Sequence, residues 1–242
     1  MYDNRVLLRR IQTANKDKNL SIQELSHLFN VNEQELACAL DYPKNLKFSH
    51  YVRFLCAPTC CFQFNYPTTS RIRVRFVLKR IFELLIGNSL AFYLLYQHMF
   101  PTADKANESI RNKNYQEILL RCTEMAIPAA YFWLALFYCV FHSYLNLFAE
   151  LTRFADRRFY ADWWNANDLA EYWRKWNLPI HNWLIRHAYY PLRRRKFSST
   201  NCLLITFFLS AVFHEYIMAG ILSSVNFIAF TIMMANVPLI AL

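Results

Sequence analysis

The sequence predicts an all-α polytopic membrane protein of about four transmembrane helices, joined by cytosolic amphipathic helices. Three observations predict it. Of 242 residues, 55% are hydrophobic and 17% aromatic, while only 18% are charged, below the quarter usual for soluble domains. Several apolar runs approach the roughly 20 residues that a spanning helix needs. The basic residues cluster beside those runs.

The elements follow in chain order. Residues 1–45 form a polar lead-in, expected on the cytosolic side and carrying no signal peptide. Within it, Ser21-Ile-Gln-Glu24 reads as a capping box opening a short helix to Asn30. A second short helix is expected from Asn32 to Leu40. Residues 46–66 are aromatic-rich, but Pro58, Pro67 at the end and several polar residues interrupt the stretch, which reads as an interfacial or partly buried segment. Arg71, Arg73, Arg75, Lys79 and Arg80 come next. Spans are expected near 82–100, 126–148, 202–223 and 226–242, within a membrane core of 46–242. A mixed-charge loop, 101–121, separates the first two, and a polar, aromatic segment, 150–200, separates the second and third. Ten Arg and Lys residues between Arg153 and Lys196 place that segment in the cytosol by the positive-inside rule. The chain stops at Leu242 while still apolar, which reads as a piece of a longer protein with spans missing at both ends.

Composition also excludes functions. With only Gly87 and Gly220, no glycine-rich phosphate loop or dinucleotide fingerprint can form. A charge of +10 in a soluble protein would suggest nucleic acid. Its placement beside apolar runs points instead to a membrane surface, or to an anionic substrate such as a coenzyme A ester. Seven cysteines without a C-x-x-C pair read as free thiols rather than a zinc site.

Two features could carry chemistry. His142 and Asn146 share a face of the second span, which Glu150 extends. Polar groups at membrane depth turn inward; interhelical hydrogen bonding and substrate contact both fit this face. His214 and Glu215 lie in mid-span, within Ser210-Ala-Val-Phe-His-Glu-Tyr216. An ionisable pair in an apolar helix is costly and points to function, although a structural polar pair also fits. Burial favours the neutral imidazole, which can take a proton from a hydroxyl. In the cytosolic segment, Asp168 and Glu171 are expected to cap an amphipathic helix through Asn177. Its tryptophans suit an interfacial helix. The basic run Arg193–Lys196 suits either orientation or attraction of anionic groups.

Here a resemblance enters. Phe159-Tyr160-x-Asp162-Trp163-Trp164-Asn165 resembles the F-Y-x-D-W-W-N motif of the sterol and diacylglycerol acyltransferases, within the membrane-bound O-acyltransferase superfamily. Ser-Ala-x-x-His-Glu-Tyr at 210–216 follows at matching spacing, and the likeness runs over roughly 42–242. Trp176-Asn-x-Pro-x-His-x-Trp183, then Arg186-His187-x-Tyr189-x-Pro191, leans to the type 1 diacylglycerol acyltransferases. The resemblance implies an enzyme of the endoplasmic reticulum membrane that esterifies diacylglycerol with acyl-CoA to give triacylglycerol. It implies no metal and no cofactor, acyl-CoA being a substrate, and no nucleic-acid partner. Related enzymes form homo-oligomers.

Position by position, His214 aligns with the catalytic histidine, Asn177 with an essential asparagine and Glu215 with the glutamate after the histidine. Trp163, Trp176, His181, Tyr189 and Ser210 fall where related enzymes hold acyl-CoA. Asn236 stands where the diacylglycerol branch usually has glutamine, so acceptor reach is expected to differ. A sterol or wax-alcohol acyltransferase is the neighbouring alternative. A non-catalytic membrane protein, or an inactive fragment, is the alternative of another class.

Overall fold

The computed structural model describes residues 47–63 and 66–241, with isolated positions 13, 21 and 23. The short helices expected over 21–30 and 32–40 otherwise lie outside the described residues. Among the described residues the regular structure is helical, and the sole β feature is an isolated bridge between Thr68 and Phe154. The chain divides into two compact units.

Among the described residues, α1 (Phe48–Cys56) leaves Phe48, Tyr51, Val52 and Leu55 exposed along one stripe. That is the spacing of one face of a helix.

One unit comprises 51–58 and 66–159. Its first long helix, α2 (Val74–Leu94), continues through a π-helical turn, Leu95–Met99, into α3 (Phe100–Arg111). After a tight turn, α4 (Tyr115–Phe137) runs through a second π-helical stretch, Tyr138–Tyr144, into α5 (Leu145–Leu151). The expected span at 82–100 thus lies inside an unbroken helical run. The expected loop at 101–121 is helical except for a short turn. Pro101 lies where the π-helical turn joins α3, inside the continuous helical run, and has no N–H to give to the preceding turn. Asn114 caps α4 by accepting from the Glu117 N–H at 3.3 Å. Mixed charge here marks an exposed helix surface rather than irregular chain: Arg121 bridges Glu117 and Glu124 at 2.7 and 2.8 Å.

The α2 and α4–α5 helices pack closely at Gly87, where a Cβ would collide with the Cys139 sulfur. Glycine here serves close approach, since Cys139 is buried. Polar groups tie the same helices together. The Ser143 hydroxyl donates to Glu83 at 2.9 Å, and Arg80 pairs with Glu83 at 2.9 Å. Glu150, fully buried, accepts from the Arg73 backbone N–H (2.7 Å), from its Nε (3.1 Å) and Nη2 (2.8 Å), and pairs with Arg157 at 2.6 Å. The guanidinium groups of Arg73, Arg80 and Arg157 surround the Phe76 ring at 4.7, 4.8 and 5.5 Å. Aromatic faces attract cations, so the ring spaces three like charges between two carboxylates.

The other unit comprises 1–50, 59–65 and 160–242. A 3₁₀ turn, Trp163–Asn165, leads to α6 (Leu169–Trp176) and α7 (Leu178–Leu184). A π-helical turn, Ile185–Tyr189, leads to α8 (Tyr190–Arg194), α9 (Ser199–Leu222) and α10 (Ile228–Ala241). Helix α9 carries apolar side chains all round, with Ile205, Phe208, Phe213, Ile217 and Ile221 exposed. Such a surface suits lipid rather than water.

Among the described residues, Tyr115–Leu151 and Ser199–Leu222 are long and apolar enough to cross a bilayer, and α10 is a shorter apolar helix.

Candidate active site

The 160–242 segment gathers most of the residues that the motifs single out. Asp168 caps α6, accepting from the Glu171 N–H at 2.6 Å. Glu171 reaches back to the Asn167 N–H at 2.8 Å, one position before the cap residue that a capping box would use. Lys175 joins Glu171 at 2.8 Å and Asp162 at 3.2 Å. The backbone N–H of Asn167 and the Lys175 ammonium hold the Glu171 carboxyl down at about 2. Glu171 and Asp162 in turn raise the lysine. These ties fold the aromatic motif back on α6, where the Ala161 N–H also donates to the Lys175 carbonyl at 2.9 Å.

The result is an aromatic cluster. Trp163 lies 5.8 Å from Tyr172 and 6.0 Å from Trp176, and Tyr172 stacks on Trp176 at 6.1 Å. Trp164 sits edge-on to Trp163 at 5.8 Å but is exposed. Phe159 is buried in the other unit. Trp173, 5.3 Å from Tyr172, attaches the cluster to α9 by meeting Phe207 at 6.4 Å; on α7, Trp183 meets Phe213 at 6.4 Å. Phe213 lies one residue before His214. Trp173 was not singled out from the sequence; its position on the apolar face of an amphipathic helix was the available signal.

Asn177 occupies the junction of α6 and α7. Its Oδ1 accepts from the Ile180 N–H at 3.2 Å, so the asparagine caps α7. Its amide N–H₂ is left as a donor. His181 is half-buried on α7, and burial, then Arg174, pushes its imidazole towards the neutral form. Tyr189 packs beside Tyr190 at 6.1 Å. Arg186 donates to the Phe62 carbonyl at 3.3 Å, fastening 59–63 to the turn after α7.

His214 departs from expectation. It lies on an exposed face of α9, whereas its neighbour Glu215 is buried. Adjacent helix residues point about 100° apart, so the pair divides between two environments. The His214 Nδ1 lies 2.7 Å from the Ser210 carbonyl, one turn earlier, and 3.5 Å from the Ser210 hydroxyl. A carbonyl only accepts, so the contact is a hydrogen bond in the tautomer that protonates Nδ1, and that tautomer leaves Nε2 its lone pair. Glu215 makes no such contact. Its oxygens take backbone N–H groups of Asn226 (3.1 Å), Phe227 (2.8 Å) and Phe230 (3.2 Å). Asn236 donates into its own helix, to the Ile232 carbonyl at 2.8 Å.

His142 and Asn146 belong to the other unit. Asn146 donates to the His142 carbonyl at 2.7 Å, and the imidazole stacks on Tyr138 at 4.7 Å. Glu150, on the same helix, is committed to Arg73 and Arg157. Among the described residues, no group of three or more His, Cys, Asp or Glu side chains could hold a metal ion.

Comparison with known proteins places these features. Residues 4–242 match the family described as MBOAT, membrane-bound O-acyltransferase family. The chain is 42% identical over 200 residues to diacylglycerol O-acyltransferase 1 of Homo sapiens, covering 83% of this chain and 41% of that protein. It is 41% identical to the Bos taurus protein of the same name, over the same shares. The Corylus americana diacylglycerol O-acyltransferase 1 is 38% identical, with 83% and 37% covered. The chain therefore spans about two fifths of the length of these relatives.

Proposed function

The chain belongs to the membrane-bound O-acyltransferase family, and on that premise we propose that it supplies the reacting histidine of an acyl-CoA-dependent diacylglycerol O-acyltransferase of the endoplasmic reticulum membrane. The observation that carries the reading is the contact of the His214 ring with the Ser210 carbonyl one turn earlier. The tautomer that ties Nδ1–H to that carbonyl at 2.7 Å leaves Nε2 to act as general base. The names of the relatives supply the acceptor, diacylglycerol, and the transfer of an acyl group to oxygen; acyl-CoA as the donor is what the motif resemblance implies.

In the proposed reaction, Nε2 takes the proton of the free diacylglycerol hydroxyl. The oxygen attacks the thioester carbonyl, a C–O bond forms, and the C–S bond breaks. The imidazolium then returns its proton to the coenzyme A thiolate. The Asn177 amide N–H₂ is the candidate donor to the developing oxyanion. Such donors contribute about 3 kcal/mol. The aromatic segment 159–183 and the basic run Arg193–Lys196 are the proposed cytosolic seat of acyl-CoA, with Trp163, Trp176, His181, Tyr189 and Ser210 lining it. Cations suit the phosphates of coenzyme A. Asn236 is proposed to face the acceptor. Removal of water from the site protects the thioester from hydrolysis.

The test supplies membranes carrying the full-length protein with labelled acyl-CoA and, in turn, diacylglycerol, a sterol or a fatty alcohol. Triacylglycerol formed preferentially supports the reading. Sterol or wax ester formed alone overturns the acceptor, and no ester in any arm overturns the activity.

A further inference from the structure

We propose that Glu215 is a positioning residue, a carboxylate at membrane depth that caps α10 and so fixes the α9–α10 hairpin on which His214 and Asn236 ride. The proposal rests on the reading of His214 as the base, and it separates Glu215 from the proton chemistry. Three observations carry it.

The first is the hydrogen-bond set. The N–H groups of Asn226, Phe227 and Phe230 reach Glu215 at 3.1, 2.8 and 3.2 Å. They flank and enter the first turn of α10, which begins at Ile228. The first N–H groups of a helix have no partner within it, and lipid offers none. A carboxylate with several lone pairs can take all three at once, at the positive end of the helix.

The second is the turn itself. Ser223 and Phe227 both adopt left-handed backbone, at φ 52° and 57°. A bulky residue such as phenylalanine holds that conformation only where its surroundings fix it. Here its own N–H makes the shortest of the three bonds to Glu215.

The third is the division of faces. Ala211 and Glu215, one turn apart, are buried on α9; Met233 and Val237 are buried on α10. Phe208 and Phe230 meet at 5.6 Å across the pair. His214 and Asn236 each sit one position before a buried residue of this packing, about 100° round its helix. The carboxylate thus acts on the hairpin and not on the imidazole ring.

The experiment uses the full-length protein in membranes, with Glu215→Gln, Glu215→Ala and His214→Ala made in parallel. Proximity of α9 and α10 is read by crosslinking cysteines placed at 208 and 230 with a short bis-maleimide, in a background lacking the other cysteines. Activity is read as kcat/KM against pH. The expected result is a loss of crosslinking in both Glu215 variants and at least a roughly tenfold fall in kcat/KM, with the acid limb of the Glu215→Gln profile unmoved. Unchanged crosslinking in Glu215→Ala overturns the proposal. So does an acid limb displaced by about one unit, since the charge would then act on His214 directly. Full activity in His214→Ala, with crosslinking still dependent on Glu215, overturns the general-base reading and supports the anchor.

Discussion

Replacing Glu150 by glutamine should strip the α2–α5 contact of its central charge. The glutamate side chain is wholly buried, Arg157 is 15% exposed and Arg73 is 53% exposed. Removing one member of a buried ion pair costs about 3–5 kcal/mol, because the other charge is stranded. Arg73 can rehydrate at its exposed end, and glutamine can still accept from its backbone N–H. Arg157, pressed against Phe76 beside Arg73 and Arg80, cannot rehydrate. The lower end of that range, about 3 kcal/mol, therefore applies. For a domain of this size it corresponds to a fall in Tm of roughly 6–12 °C. Fluorescence-detected size-exclusion thermostability of the detergent-solubilised full-length protein measures it. A Glu150→Gln/Arg157→Met double variant should recover most of the loss, since the stranded Arg157 charge is gone and glutamine still accepts from the Arg73 backbone N–H. A Glu150→Gln protein melting within about a degree of wild type would refute the reasoning.

Three further outcomes follow from the same geometry. Gly87→Ala should cost about 1–3 kcal/mol by driving a methyl into the Cys139 sulfur, and Cys139→Ala in the same chain should restore stability in the same assay. Asn177→Asp keeps an oxygen for the Ile180 N–H but loses the amide donor. It should insert and melt like wild type while losing acyl transfer by on the order of a hundredfold, and near-normal activity would exclude the oxyanion role. The Glu171 carboxyl sits at about 2 against an ordinary 4.5, so its contribution is complete above pH 4.5 and is lost as pH falls towards 2; tryptophan fluorescence of the adjoining cluster should change over that window and not in Glu171→Gln.

What could be read from the sequence was mostly local. The Asp168 and Glu171 cap lies within four residues, so the pattern alone located it. The apolar lengths of Tyr115–Leu151 and Ser199–Leu222 likewise mark themselves. Residues 101–121 misled because a solvent-facing helix turn and a loop share the same charged composition, and Pro101 lies inside a continuous helical run; Asn114, as a cap, was the local clue. The π-helical stretches at 95–99, 138–144 and 185–189 have no comparable pattern. Partners distant in sequence were invisible: Glu150 finds Arg73 across 77 positions. Glu215 finds amides in and just before the first turn of α10, 11 to 15 positions on. The aromatic motif was legible as residues, but its folding onto α6 through Lys175 was not.

The central claim is that His214 takes the proton of the acceptor hydroxyl. Its most direct measurement is triacylglycerol formation from labelled acyl-CoA and diacylglycerol by the full-length His214→Ala protein, compared with wild type at equal membrane insertion. Loss of a general base removes a factor of roughly 10²–10⁴, so the account predicts product at or near background. A correctly inserted His214→Ala protein forming triacylglycerol at the wild-type rate would contradict it.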